Sequence, residues 1–214
     1  MRYLPADKYN IAWFKLAECV SRGEKERALG VYRLLAHSLD DAAFVYQLEG
    51  DIFLAFGDTA GALQRYIQAL DTYKNDGRLF EAAAIGEHLF QLSDDKLPYA
   101  LRLSAMYDQL GVCAKAWDYG VHVIRHYLQF GAFDAAVGIL DTLPAGDALQ
   151  YYQLRRQLLF GLIGQGKTPR DLLIIQAHKV VDAALALDDK LQLQHFFTEL
   201  ELLDMQLYAA VCIK

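Results

Sequence analysis

Three features of this 214-residue sequence predict an all-α fold assembled from antiparallel helix pairs. Glycines at Gly23, Gly57, Gly77, Gly111 and Gly131 are separated by 34, 20, 34 and 20 residues, so a unit of 54 residues recurs. Between them apolar residues return every three or four positions, the period of a buried helix face, and the alternation of a strand is sustained nowhere. Ala and Leu are plentiful and only 4 prolines occur, a composition that favours helix.

The elements can be placed in order from their stops and starts. Glycine tolerates the left-handed backbone that ends a helix, so FGD, NDG, QLG and QFG read as C-terminal stops. Asp40-Asp41, Asp94-Asp95 and Asp188-Asp189 precede apolar helical segments, where a carboxylate can cap free backbone N–H groups. Residues 58–73 carry Ala62, Tyr66, Ala69, Leu70 and Tyr73 on one helical face. The 54-residue register pairs Ala60 with Ala114, Ala62 with Ala116, Tyr73 with Tyr127, Ala82 with Ala136 and Asp40 with Asp94. Three helices of ~18 residues with their turns fill each unit if neighbours run antiparallel. A further glycine turn falls near 165, where the next step of 34 is due.

The segment YQLEGDIFLAFGDTAGALQRYIQAL, residues 46–70, resembles a tetratricopeptide repeat. Tyr46, Gly50, Phe53, Gly57, Ala62, Tyr66 and Ala69 occupy that family's aromatic, small and turn positions in order; Glu49 departs from it where Leu is preferred. Trp13, Leu16, Ala17, Ala28 and Tyr32 match a second copy, and Ala100, Leu103, Ser104, Tyr107, Gly111 and Ala116 a third. The 20-residue steps make helices 59–75 and 114–130 close one motif and open the next, as in continuous helical arrays. The resemblance implies a right-handed superhelical solenoid of about ten or eleven helices. The resemblance is strong over residues 11–143 and weaker over 146–187; the implied array spans 1–187, leaving 188–214 as a terminal apolar capping or oligomerisation helix of the same domain. Small residues at Ala17, Ala28, Gly50, Ala62, Ser104 and Ala116 are expected to let helices approach closely.

Composition excludes several functions. A formal net charge of −6 argues against a nucleic-acid partner, since affinity for phosphate backbones rests on Lys and Arg. No apolar run approaches the ~20 residues of a membrane span, and MRYLPADKYN lacks the apolar core of a signal peptide. Cys19, Cys113 and Cys212 are odd in number, widely spaced and without a CxxC, so a reducing cytoplasm is the expected location.

GLIGQGKT, residues 161–168, spells a phosphate-binding loop. Such a loop joins a buried strand to a helix N-terminus. Here it follows DALQYYQLRRQLLF, which has helical spacing, and falls where the register requires a turn. Nucleotide binding through Lys167 is therefore the disfavoured alternative. His122 and His126 sit four apart on one helical face but lack a third ligand, so no metal is expected. Cys113 falls in a turn without an oxyanion arrangement, and the acid pairs are spread along the array as caps. No catalytic residue and no cofactor is expected.

The resemblance implies a protein-interaction module, an adaptor, scaffold or chaperone-like protein that holds a peptide or helix of a partner. Its partner-facing positions, on the inner side of each motif's first helix, correspond to Phe14, Glu18, Ser21, Gln47, Asp51, Leu54, Leu101, Ala105 and Asp108. Phe14, Glu18, Gln47 and Asp51 stand where a chaperone-binding subset of the family carries a clamp of Lys, Asn and Arg, so that activity is not implied. An apolar, mildly acidic groove suits apolar anchors with some positive charge. The stretch 191–214 is apolar around most of a helix; it either folds back into the array or pairs with a partner or a second copy, making a self-assembling oligomer the alternative.

Overall fold

The computed structural model describes residues 5–212, with side chains from residue 11 onward. Among them lie twelve helices and no strand: α1 (Pro5–Ser21), α2 (Lys25–Ala36), α3 (Ala42–Ala55), α4 (Thr59–Asn75), α5 (Leu79–Leu92), α6 (Leu97–Gln109), α7 (Cys113–Gln129), α8 (Phe133–Thr142), α9 (Ala148–Gln165), α10 (Arg170–Ala186), α11 (Lys190–Leu203) and α12 (Met205–Cys212). The chain divides into two compact units, Met1–Met106 and Tyr107–Lys214.

Five turns share one construction. At Gly23, Gly57, Gly77, Gly111 and Gly131 the backbone takes φ between +68° and +75°. In each, the glycine N–H reaches the carbonyl three residues back, and the next N–H reaches the one five back; at Gly57 these are Leu54 and Phe53, both at 2.9 Å. That bond pair closes the last helical turn and leaves a three-residue connection before the next helix. Gly166 ends α9 with φ +63°. At the end of α10 no glycine is present, and Asp188 takes the same left-handed role with φ +52°.

Aspartates open several helices, Asp41, Asp95 and Asp189 as expected, whereas α2, α5, α7, α8 and α10 begin without a side-chain cap. Asp41 accepts from the Phe44 N–H, Asp58 from Gly61, Asp147 from Gln150 and Asp189 from Leu191 and Gln192. The terminal stretch, expected as one helix, is two. Asp204 interrupts it, accepts from the Leu207 N–H and pairs with Arg170 at the start of α10, so it caps α12 and ties it back to the unit. This break carries the helix count past ten or eleven.

In the first unit Leu16 and Cys19 of α1 pack on Ala28, Tyr32 and Leu35 of α2 and on Leu48 and Ile52 of α3. Each fully buried Leu or Ile contributes roughly 2 kcal/mol. Ala28 and Ala62 are fully buried, as close approach requires, whereas Ala17 is exposed because the packed stripe of α1 runs through Trp13, Leu16, Cys19 and Val20. Helix α4 packs against both α3 and α5. In the second unit α7, α8 and α9 share one core, while Phe196, Leu200, Leu207 and Val211 of α11 and α12 join Leu159, Leu173, Ala177 and Val180 in another. Tyr152 donates to the Gln192 carbonyl at 3.1 Å, and Arg156 pairs with Glu199, fixing α11 to α9. The apolar terminal residues are thus partly consumed inside the unit; Leu191, Leu202, Leu203 and Met205 stay exposed.

Candidate functional site

The positions on α1 that were expected to face a partner are open to solvent. Phe14 is 78% exposed, and Ile11, one turn earlier on the same face, is 56% exposed. Glu18 pairs with Arg22 at 2.6 Å, and the Ser21 hydroxyl donates to the Glu18 carbonyl at 2.9 Å. On α3 the expected residues are engaged from within. Tyr73 donates to Gln47 at 2.9 Å and Tyr66 to Asp51 at 2.6 Å, both from α4. Tyr32 donates to Glu49 at 3.2 Å and Arg65 pairs with it at 2.8 Å. Leu54 and Leu101 are half-buried, while Ala105 and Asp108 are exposed on α6, Asp108 falling in the second unit. Burial and the acceptor Asp51 both push the Tyr66 hydroxyl above its ordinary value, as burial and Glu49 do for Tyr32.

Gly161 to Gln165 form the last turns of α9, and the Gln165 side chain donates to the Gly131 carbonyl at 2.6 Å. Lys167 is exposed in the short connection to α10. Helix precedes the glycines where a phosphate loop would need a strand. His126 packs against Phe130 with the rings tilted and their centres 4.8 Å apart. Among the described residues no three His, Cys, Asp or Glu side chains converge as a metal set would. Cys113, expected in a turn, is the exposed first residue of α7 because the three-residue connection ends at Val112.

The sequence reading missed a cleft in the second unit. It lies between the end of α8, the connection 143–147, α9 and α10, and holds about 690 Å³. Its wall is set by two close approaches. A side chain at Gly120 would collide with Leu143, and one at Gly146 with the Trp117 ring, so the connection lies flat on α7; Trp117 also donates to Gln150 at 2.6 Å. On the cleft side stand Asp141, Tyr151, Arg155, Lys179 and Asp182 among Leu143, Pro144 and several alanines.

Arg155 is 3% exposed, on the buried stripe of α9. Its guanidinium donates to the Tyr151 hydroxyl at 2.9 Å and to Asp141. Lys179 donates to both Asp141 oxygens at 2.8 Å. Burial alone would raise the Asp141 carboxyl, but the Lys179 and Arg155 hydrogen bonds outweigh it and hold it below the usual carboxylate range. One carboxylate therefore serves two cations. A charge on an otherwise apolar helical stripe was the signal available in the sequence, carried by Arg155 between Tyr152 and Leu159.

No family model matches the chain. No curated protein matches it. Among solved structures, the crystal structure of BtubC (BKLC) from P. vanneervenii is similar at a TM-score of 0.38 and 15% identity, covering 93% of this chain and 79% of that one. No helix among the described residues is long and apolar enough to cross a membrane.

Proposed function

We propose that this chain is a helical-repeat scaffold of the tetratricopeptide type, a right-handed solenoid that holds a segment of another protein and performs no reaction. The recurring glycine hairpins support the repeat reading, as does the helix shared between neighbours. Polar ties between successive layers recur at similar separations: Lys25 to Asp58 over 33 residues, Trp117 to Gln150 over 33 and Gln165 to Gly131 over 34.

The observation that carries the binding role is the open pair Ile11 and Phe14 on α1, two large apolar side chains one turn apart with most of their surface in water. Beside them the Glu18–Arg22 pair provides polar surroundings, the pattern of an anchor site with a polar rim. A partner helix or extended segment with apolar anchors fits that surface. The test is affinity capture from the native host with the unmodified chain and with Phe14→Asp. The substitution leaves the melting temperature unchanged, because Phe14 contributes little to the core, and removes the captured partner. Capture of the same partner by both proteins would move the binding surface elsewhere.

The exposed Leu202, Leu203 and Met205 around Asp204 favour one second reading, self-association through the terminal helices. Light scattering that finds a monomer at high concentration eliminates it.

A further inference from the structure

We infer that the cleft between α8, α9 and α10 binds a small monocarboxylic acid with a short apolar body, whose carboxylate takes the place of Asp141 on Arg155 and Lys179. This stands apart from the scaffold reading and concerns a different surface.

The argument begins with Arg155. A guanidinium that is 3% exposed must keep an anion beside it, because a buried charge left unpaired is strongly unfavourable. Asp141 supplies that anion from the last turn of α8, with one third of its side chain in water. A carboxylate so placed can turn outward, provided another anion replaces it. Lys179, with 36% of its side chain exposed, forms the accessible side of the same pair and can follow the incoming group. The exchange keeps one carboxylate on Arg155, which is never left alone, while the displaced Asp141 charge passes into water.

The rest of the cleft defines the ligand. Its volume of about 690 Å³ lies in the range of small-molecule sites. Leu143, Pro144, Ala145, Ala183 and Ala186 give it apolar, mostly small-residue walls that suit a short branched or linear hydrocarbon. Asp182, one turn beyond Lys179 on α10, adds a second carboxylate to the lining. Its charge penalises each further negative charge in the cleft, so a single carboxylate is tolerated better than a phosphate or a dicarboxylate.

Calorimetric titration of the full chain with 3-methylbutanoate tests the inference, with 3-methylbutanamide and sodium chloride at equal ionic strength as controls. The acid binds and the amide does not. Lys179→Met weakens binding about tenfold or more, and Asp141→Asn, which removes the internal competitor, tightens it about tenfold. Ala186→Trp, at an exposed wall position away from the ion trio, blocks the cleft and abolishes binding without unfolding the chain. It keeps the test decisive if Asp141→Asn fails to fold. Equal binding of acid and amide, or undiminished binding by Ala186→Trp, overturns the site. Absence of binding by both the unmodified chain and Asp141→Asn also overturns it. A tripeptide ending in valine, with a free or an amidated C-terminus, distinguishes a chain end from a free acid. Binding of the free tripeptide but not of 3-methylbutanoate overturns the small-acid assignment.

Discussion

The Tyr66 hydroxyl donates a 2.6 Å hydrogen bond to Asp51, while the Tyr66 ring fills the space that a side chain at Gly50 would need. Helix α4 is therefore seated on α3 by one residue through two contacts, one polar and one steric. A methyl group at Gly50 would stand 2.8 Å from the ring atoms Cδ1 and Cε1. Gly50→Ala is expected to lower stability by roughly 1–3 kcal/mol, read by urea denaturation. Gly30 provides the contrast, since nothing lies within 4 Å of a methyl group there. Gly30→Ala in the interior of α2 should raise stability by up to ~1 kcal/mol through helix propensity alone.

The left-handed turns make a second pair. Gly57 has φ +75°, so Gly57→Ala is expected to cost about 1–2 kcal/mol. Asp188 adopts φ +52° with a side chain that disfavours it, so Asp188→Gly should gain about 1 kcal/mol. Thermal melts of both variants check the opposite signs.

Buried tyrosines define the alkaline limit. Tyr32 and Tyr66 have raised pKa values in the folded chain, so the stability they confer is complete below the ordinary tyrosine value of about 10. It is lost as pH rises through their folded values. Spectrophotometric titration should show exposed tyrosines ionising first, and a second group ionising only as helicity is lost. Tyr66→Phe removes one member of that second group and lowers neutral-pH stability by about 1 kcal/mol.

Acid acts on the other end. The Arg170 guanidinium and the Leu207 N–H hold the Asp204 carboxyl below its ordinary range, and Asp141 is held low in the same unit. Their contribution is intact above about pH 4 and disappears as pH falls through the folded values. Asp204→Asn should flatten the acid limb of the stability curve and cost about 1 kcal/mol at neutral pH, with α12 exchanging its amide protons fastest.

How much of this was legible follows from where the information resides. A left-handed turn needs glycine and a cap needs a short acid, so Gly57 or Asp41 announces its local role in a single letter. Tyr66 and Ala62 announce theirs through spacing, because a helix face is a local property. The cleft depends on Asp141, Arg155 and Lys179, which meet only after α8, α9 and α10 have packed. The ion pair between Asp141 and Lys179 spans 38 residues and leaves no periodic trace. The tyrosine hydroxyls on Gln47, Glu49 and Asp51 were hidden for the same reason: register placed these residues on a first helix but did not reveal which neighbours would use their oxygens. Asp188 shows the limit of reading glycines alone, since an aspartate performs the same turn without the letter that marks it.

Helix α4 has protein on two sides, with α3 before it and α5 after it. A rod clasped in this way cannot peel from its bundle by fraying at one edge. Its detachment would strip Tyr66 and Tyr73 from α3 and at the same moment uncover α5. Melting of the first unit should therefore be concerted, and a protease that nicks the hairpin at Gly57 or Gly77 should release no stable fragment containing α4 alone with one of its neighbours.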